Sequence, residues 1–89
     1  MELDQQFEKA QNDLNNLTER PSNEEFLELY ALFKQATVGN NTQSKPSRFN
    51  LKKHYKWKSW MGKKGLAIHE AQQQYVELVG QLLAKYHHD

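Results

Sequence analysis

The sequence predicts an all-α domain of four helices. Three observations carry that expectation. Apolar residues recur at helical steps of three and four, start and stop signals frame those runs, and no strand-like alternation of useful length interrupts them.

Leu3, Phe7, Ala10, Leu14 and Leu17 share one helical face, with Glu, Lys, Gln, Asp and Asn filling the wet side. Thr18-Glu19-Arg20-Pro21 ends that helix, because Pro21 lacks an amide hydrogen and turns Arg20 away from helical geometry. Ser22-Asn23-Glu24-Glu25 spells S-x-x-E, a capping box with acids placed to favour the helix dipole. The second helix is expected from about Asn23 to Val38, with Phe26, Leu29, Phe33 and Ala36 on its period and Gly39 closing it. Residues Asn40 to Ser47 are loop by composition, too long for a tight helix-helix turn and expected to cross the molecule. Leu51 to Met61 is a short cationic helix, stopped by the turn around Gly65. The last helix, about Ile68 to Tyr86, has the cleanest pattern: Ala71, Tyr75, Leu78, Val79, Leu82 and Tyr86.

Residues 1–89 make one domain, and an apolar share of 37% suggests a thin core under two layers of amphipathic elements. With no cysteine, disulfides, thiolate metal sites and cysteine nucleophiles are excluded together, and a reducing compartment fits. The acidic start Met1-Glu2-Leu3-Asp4 has no apolar core of a signal peptide. No run approaches the roughly 20 apolar residues of a membrane span, so a cytoplasmic location is expected.

Charge carries the functional signal. From Tyr30 to His69 there is no Asp or Glu, while nine of the twelve basic residues fall in that stretch. The formal net charge of +1 hides this dipole, which points to an anionic ligand. Tyr30 and Lys34 stand four apart on one helix face, with Leu27 preceding them, and Lys52 and Lys56 repeat the spacing on the third helix. If those faces meet, with Tyr75 of the last helix beside them, cations and phenols ring a pocket with aliphatic groups beneath. A phosphate there accepts charge-assisted hydrogen bonds from the ammonium groups and a neutral one from a tyrosine hydroxyl. Taken singly, Tyr30 has the ordinary reading of a core residue, Lys34 that of a snorkelling surface lysine, and Trp57 and Trp60 those of packing anchors.

The segment Tyr30-Ala31-Leu32-Phe33-Lys34-Gln35-Ala36-Thr37-Val38-Gly39 resembles the signature of the acyl-CoA-binding protein family, close to Y-x-x-Y/F-K-Q-A-T-x-G. The likeness extends upstream through Phe7-Glu8-Lys9-Ala10 and Arg20-Pro21-Ser22-Asn23-Glu24-Glu25. Downstream it runs through Lys45-Pro46, Lys56-Trp57-Lys58-Ser59-Trp60, Lys64-Gly65 and Ala71-Gln72-Gln73-Gln74-Tyr75-Val76. The resemblance implies a four-helix up-down-down-up bundle with a long loop between helices 2 and 3. It also implies non-catalytic binding, buffering and transport of medium- to long-chain acyl-CoA esters, with no cofactor. By that resemblance Tyr30, Lys34 and Lys56 hold the ribose 3′-phosphate of CoA, and Phe33 and Tyr75 line the nucleotide and acyl parts of the site. Phe7, Ala10, Leu27 and Lys52 fall near the ligand. A monomer is expected, with transient contact to membranes or to enzymes that use acyl-CoA.

The chain also departs from the family pattern. Phe33 stands where many members have Tyr, Asn15 where many have Lys, Gln11 where a small apolar residue is common, and Lys63 where an apolar one is. Ala67 replaces the usual Ser cap of the last helix, at a cost on the order of 1 kcal/mol. Other functional classes fit less well. Aromatic and basic residues interleave from Lys52 to Lys64 as in nucleic-acid binders, but the pI is only about 8.0 and the flanking helices are acidic or mixed. No two of His54, His69, His87 and His88 stand at i,i+4 as a zinc pair does, and His87-His88 reads as a frayed tail.

Overall fold

The computed structural model describes residues 2–87, in four helices: α1 Leu3–Asn15, α2 Asn23–Thr37, α3 Leu51–Met61 and α4 Ile68–Lys85. Long-range hydrogen bonds fix their directions. The end of α2 meets the start of α4, where Gln35 Nε2 donates to the Leu66 carbonyl at 2.9 Å. At the other end, Lys85 and Tyr86 reach Glu25 at 3.0 and 2.6 Å, so these two helices are antiparallel. Gln72 donates to Asp4 at 3.1 Å and the Thr18 amide to the His87 carbonyl at 3.0 Å, which sets α1 parallel to α4. The Trp60 indole donates to the Gly39 carbonyl at 2.8 Å, bringing the ends of α2 and α3 together. The topology is up-down-down-up.

Among the described residues, close backbone approaches join α1 to α4, α4 to α2 and α2 to α3. By backbone approach the helices follow the spatial order α1, α4, α2, α3, and Phe7 of α1 also reaches Phe33 of α2. The molecule measures 37 × 28 × 14 Å. Its core comes from Phe7 and Ala10, from Leu29, Leu32 and Ala36, and from Ala71, Tyr75, Val79 and Leu82, all buried at helical spacing.

Parallel neighbours explain the long connection between α2 and α3. The chain must return along an 11-residue helix, a span of about 17 Å at 1.5 Å per residue. Two asparagines pin this crossover. Buried Asn41 donates to the Trp57 carbonyl at 3.1 Å and accepts from the Gln43 amide at 2.9 Å. Asn40 Oδ1 accepts from both Gln35 Nε2 and the Gly65 amide, each at 2.9 Å. Trp57 completes the lock by donating its indole N–H to the Gln43 carbonyl at 2.8 Å.

The capping box forms as expected: the Glu25 amide donates to Ser22 Oγ at 3.1 Å, and the Ser22 amide to Glu25 Oε1 at 2.8 Å. Gly39 closes α2 with φ at 95°, a region open to glycine. Ala67 supplies no side-chain cap. Three local readings change. α1 stops at Asn15, before Leu17, at a pair of asparagines of low helix propensity, yet Leu17 still packs on the core. Phe26 is 40% exposed instead of lying on the core face. His87 is tied down, with Nδ1 at 2.6 Å from Glu19 Oε1; His88 lies outside the described residues.

Candidate functional site

The parallel pairing of α2 with α3 lays Phe26, Leu27, Tyr30 and Lys34 beside Lys52, Tyr55 and Lys56. Lys56 Nζ stands 4.9 Å from the Tyr30 ring centroid and 5.6 Å from that of Phe26. Lys34 Nζ stands 4.9 Å from the ring of buried Trp60. Among the described residues, no carboxylate pairs with Lys34, Lys52 or Lys56. Aromatic faces position the Lys34 and Lys56 ammonium groups through their quadrupoles and leave the full charge for an incoming anion. The i,i+4 spacing of Tyr30 and Lys34 thus places a phenol and an ammonium on the same side as Lys56.

Two grooves of similar size open between α2 and α3. One, about 460 Å³, has apolar surface from Phe26, Leu27 and Tyr55 and cations from Arg20, Lys52 and Lys56. The other, about 490 Å³, contains Glu24 and Glu28. There Lys63 is already spent on Glu28 at 2.6 Å. With Lys58 facing Glu24 and Glu28 as well, the charges of the second groove balance, whereas the first combines apolar walls with uncompensated positive charge. Leu27 lines both.

The remaining site residues gather on the α1–α4–α2 side. Tyr75 is 3% exposed and packs edge-on against Phe7 at 5.0 Å, with Phe33 at 6.2 Å; Phe7 and Phe33 stack at 6.1 Å. Burial pushes the Tyr75 phenol above its ordinary pKa, so its ring is a neutral part of the core. Ala10 is buried nearby on α1. The single pocket containing both Tyr75 and the cations resolves into two neighbouring groups, linked because Tyr30 and Phe33 stand three apart on α2. Half-buried Phe33 is the member of the aromatic trio with the most open surface.

Sequence reasoning passed over three contributors to the cationic groove: Phe26, Tyr55 and Arg20. The signal was present, since Phe26 and Tyr30 repeat the i,i+4 spacing of Tyr30 and Lys34, and Tyr55 falls between Lys52 and Lys56. Phe26 also fitted the core period, and that fit concealed its exposure. Trp57 and Trp60 serve as anchors, each spending its indole N–H on a loop carbonyl.

The sequence and the fold both have likenesses among known proteins. The family model described as acyl CoA binding protein matches residues 4–79. The acyl-CoA-binding protein of Saccharomyces cerevisiae is 49% identical over 84 residues, covering 94% of this chain and 97% of the yeast protein. Acyl-CoA-binding protein homolog 1 of Caenorhabditis elegans is 54% identical over 80 residues, covering 90% of this chain and 93% of its own. The crystal structure of Oryza sativa acyl-CoA-binding protein 2 superposes with a TM-score of 0.89 at 42% identity, covering 94% of this chain and 93% of the rice protein. With family model, relatives and fold in agreement over nearly its whole length, this chain belongs to the acyl-CoA-binding protein family.

Proposed function

We propose that the protein binds medium- to long-chain fatty acyl-CoA esters without altering them, and buffers and carries them as a cytoplasmic monomer. The observation that carries this reading is Lys34 and Lys56, held against the rings of Trp60 and Tyr30 and without a carboxylate partner among the described residues, with Lys56 also lining an apolar groove. The names of its relatives, acyl-CoA-binding proteins, support the ligand class.

Affinity and recognition come from different parts of the ligand. A buried chain gains roughly 0.8 kcal/mol per methylene, but apolar burial has no direction. The 3′-phosphate, mostly doubly ionised at neutral pH with a second pKa of about 6, supplies direction. Lys34, Lys56 and the Tyr30 hydroxyl hold it, and a plain fatty acid lacking the group is rejected. Leu27 and Lys52 border the chain in the groove, while Phe33, with Phe7, Ala10 and Tyr75 behind it, supports the nucleotide end. The head group then covers the thioester and shields it from water. No residue here is assigned a chemical step.

Isothermal titration with palmitoyl-CoA, beside free CoA and palmitate, tests the reading. One-to-one binding of the ester, with both fragments much weaker, is the expected result. No binding of the ester, or palmitate binding equally well, would show that the groove serves another ligand.

A further inference from the structure

We infer that the tip of the α2–α3 loop and the first turn of α3 form a docking surface for anionic phospholipid bilayers. Phe49 is 88% exposed and Leu51 60% exposed, two large apolar side chains standing on either side of Asn50. The tip is a defined turn: the Asn50 amide donates to the Ser47 carbonyl at 3.0 Å and the Phe49 amide to Ser47 Oγ at 3.2 Å. Asn50 Oδ1 then caps α3 by accepting from the Lys53 amide at 3.3 Å. The local hydrogen bonds hold Phe49 outward.

Charge identifies the occupant. Lys45, Arg48, Lys52 and Lys53 flank the two apolar residues along the chain, all exposed, and the Arg48 guanidinium lies 5.7 Å from the Phe49 ring. No acid occurs between Tyr30 and His69 to oppose an anionic surface. A protein interface concentrates its apolar groups in a packed patch with charge at the rim. Here each apolar group sits among long, flexible cations, the pattern that inserts at the headgroup boundary while the cations bind acidic lipid. Lys52 belongs both to this turn and to the groove of about 460 Å³, so docking sets the groove beside the bilayer. The inference goes beyond ester binding and is tested without any ester present.

The experiment is co-sedimentation of the full chain with vesicles of phosphatidylcholine, with and without phosphatidylserine. Binding is expected only when phosphatidylserine is present. Phe49→Ala should weaken it by about tenfold and Arg48→Gln by about fivefold. Lys9→Gln, the same charge change on α1, should leave it unaltered. All three should keep the wild-type melting temperature within a few degrees and the wild-type affinity for palmitoyl-CoA. Equal binding to both vesicles, no binding to either, or a Phe49→Ala protein that sediments like wild type would overturn the proposal. So would a Lys9→Gln loss matching that of Arg48→Gln, which would mean diffuse net-charge attraction. Vesicle binding with no response to palmitoyl-CoA would leave the docking surface standing and remove the ester-binding reading alone.

Discussion

Glu25 Oε1 accepts the Tyr86 hydroxyl at 2.6 Å, joining the first turn of α2 to the residue that ends α4. The same carboxylate takes the Ser22 amide and the Lys85 ammonium. These bonds, that of Tyr86 foremost, hold its pKa at about 2, against an ordinary 4.5. A carboxyl depressed on folding stabilises the fold above its unfolded pKa, and that contribution disappears as pH falls through the folded value. The melting temperature should therefore drop as pH falls from about 4.5 toward 2. Tyr86→Phe should start lower at neutral pH and converge with wild type in acid. Thermal melts that remain parallel over the whole range would refute the linkage.

Lys34→Ala should weaken palmitoyl-CoA by about 2–3 kcal/mol, since it removes one partner of a close charge pair. A ligand without the 3′-phosphate separates that loss from any disturbance of Trp60. The 3′-dephospho ester should bind wild type and variant alike. An equal loss with both esters would place the phosphate elsewhere.

Raising salt from low to physiological strength should weaken the CoA ester, because only the head group interacts by Coulomb attraction. Esters of different chain length should show the same slope when titrated over that range. An affinity indifferent to salt would count against the cationic groove.

Phe33→Tyr adds a hydroxyl at a half-buried position. Folding stability should change little, and affinity for the ester should rise by about 0.5–1.5 kcal/mol, the net value of one hydrogen bond. Unchanged affinity in a calorimetric titration would mean that the head group does not reach this position.

Asn41→Ala should lower unfolding stability by about 1–3 kcal/mol, leaving the Trp57 carbonyl and the Gln43 amide without their buried partner. Urea denaturation measures the loss. A substitution without effect would mean that the crossover is held by the two indole N–H bonds instead.

Local signals in the sequence were sufficient for the helices. Ser22 and Glu25 stand three positions apart and meet in the capping box, Gly39 takes the conformation its position demanded, and the Ala71 to Leu82 pattern lies on the core. Asn40, Asn41 and Gln35 were not legible in the same way. Their bonds join residues as far as 31 positions apart, and an asparagine in a loop looks alike whether it fixes a crossover or faces water. Within the candidate site, spacing alone placed Tyr30 with Lys34 and Lys52 with Lys56 on shared helix faces. Which face of α2 turned toward α3 depended on packing, and so Phe26 and Tyr55 emerged only in three dimensions.

Along its shortest axis the backbone extends only 14 Å, so core side chains lie one residue away from the surface that meets a ligand. Core and ligand-facing surface are in direct contact: buried Phe7 and Tyr75 touch Phe33, and Phe33 is half open. Reshaping this protein for another ligand therefore has few positions at which to act without also disturbing the fold. A library selected for altered specificity should carry its hits at Phe26, Leu27 and Tyr55, where side chains reach solvent, and its compensating changes along α4.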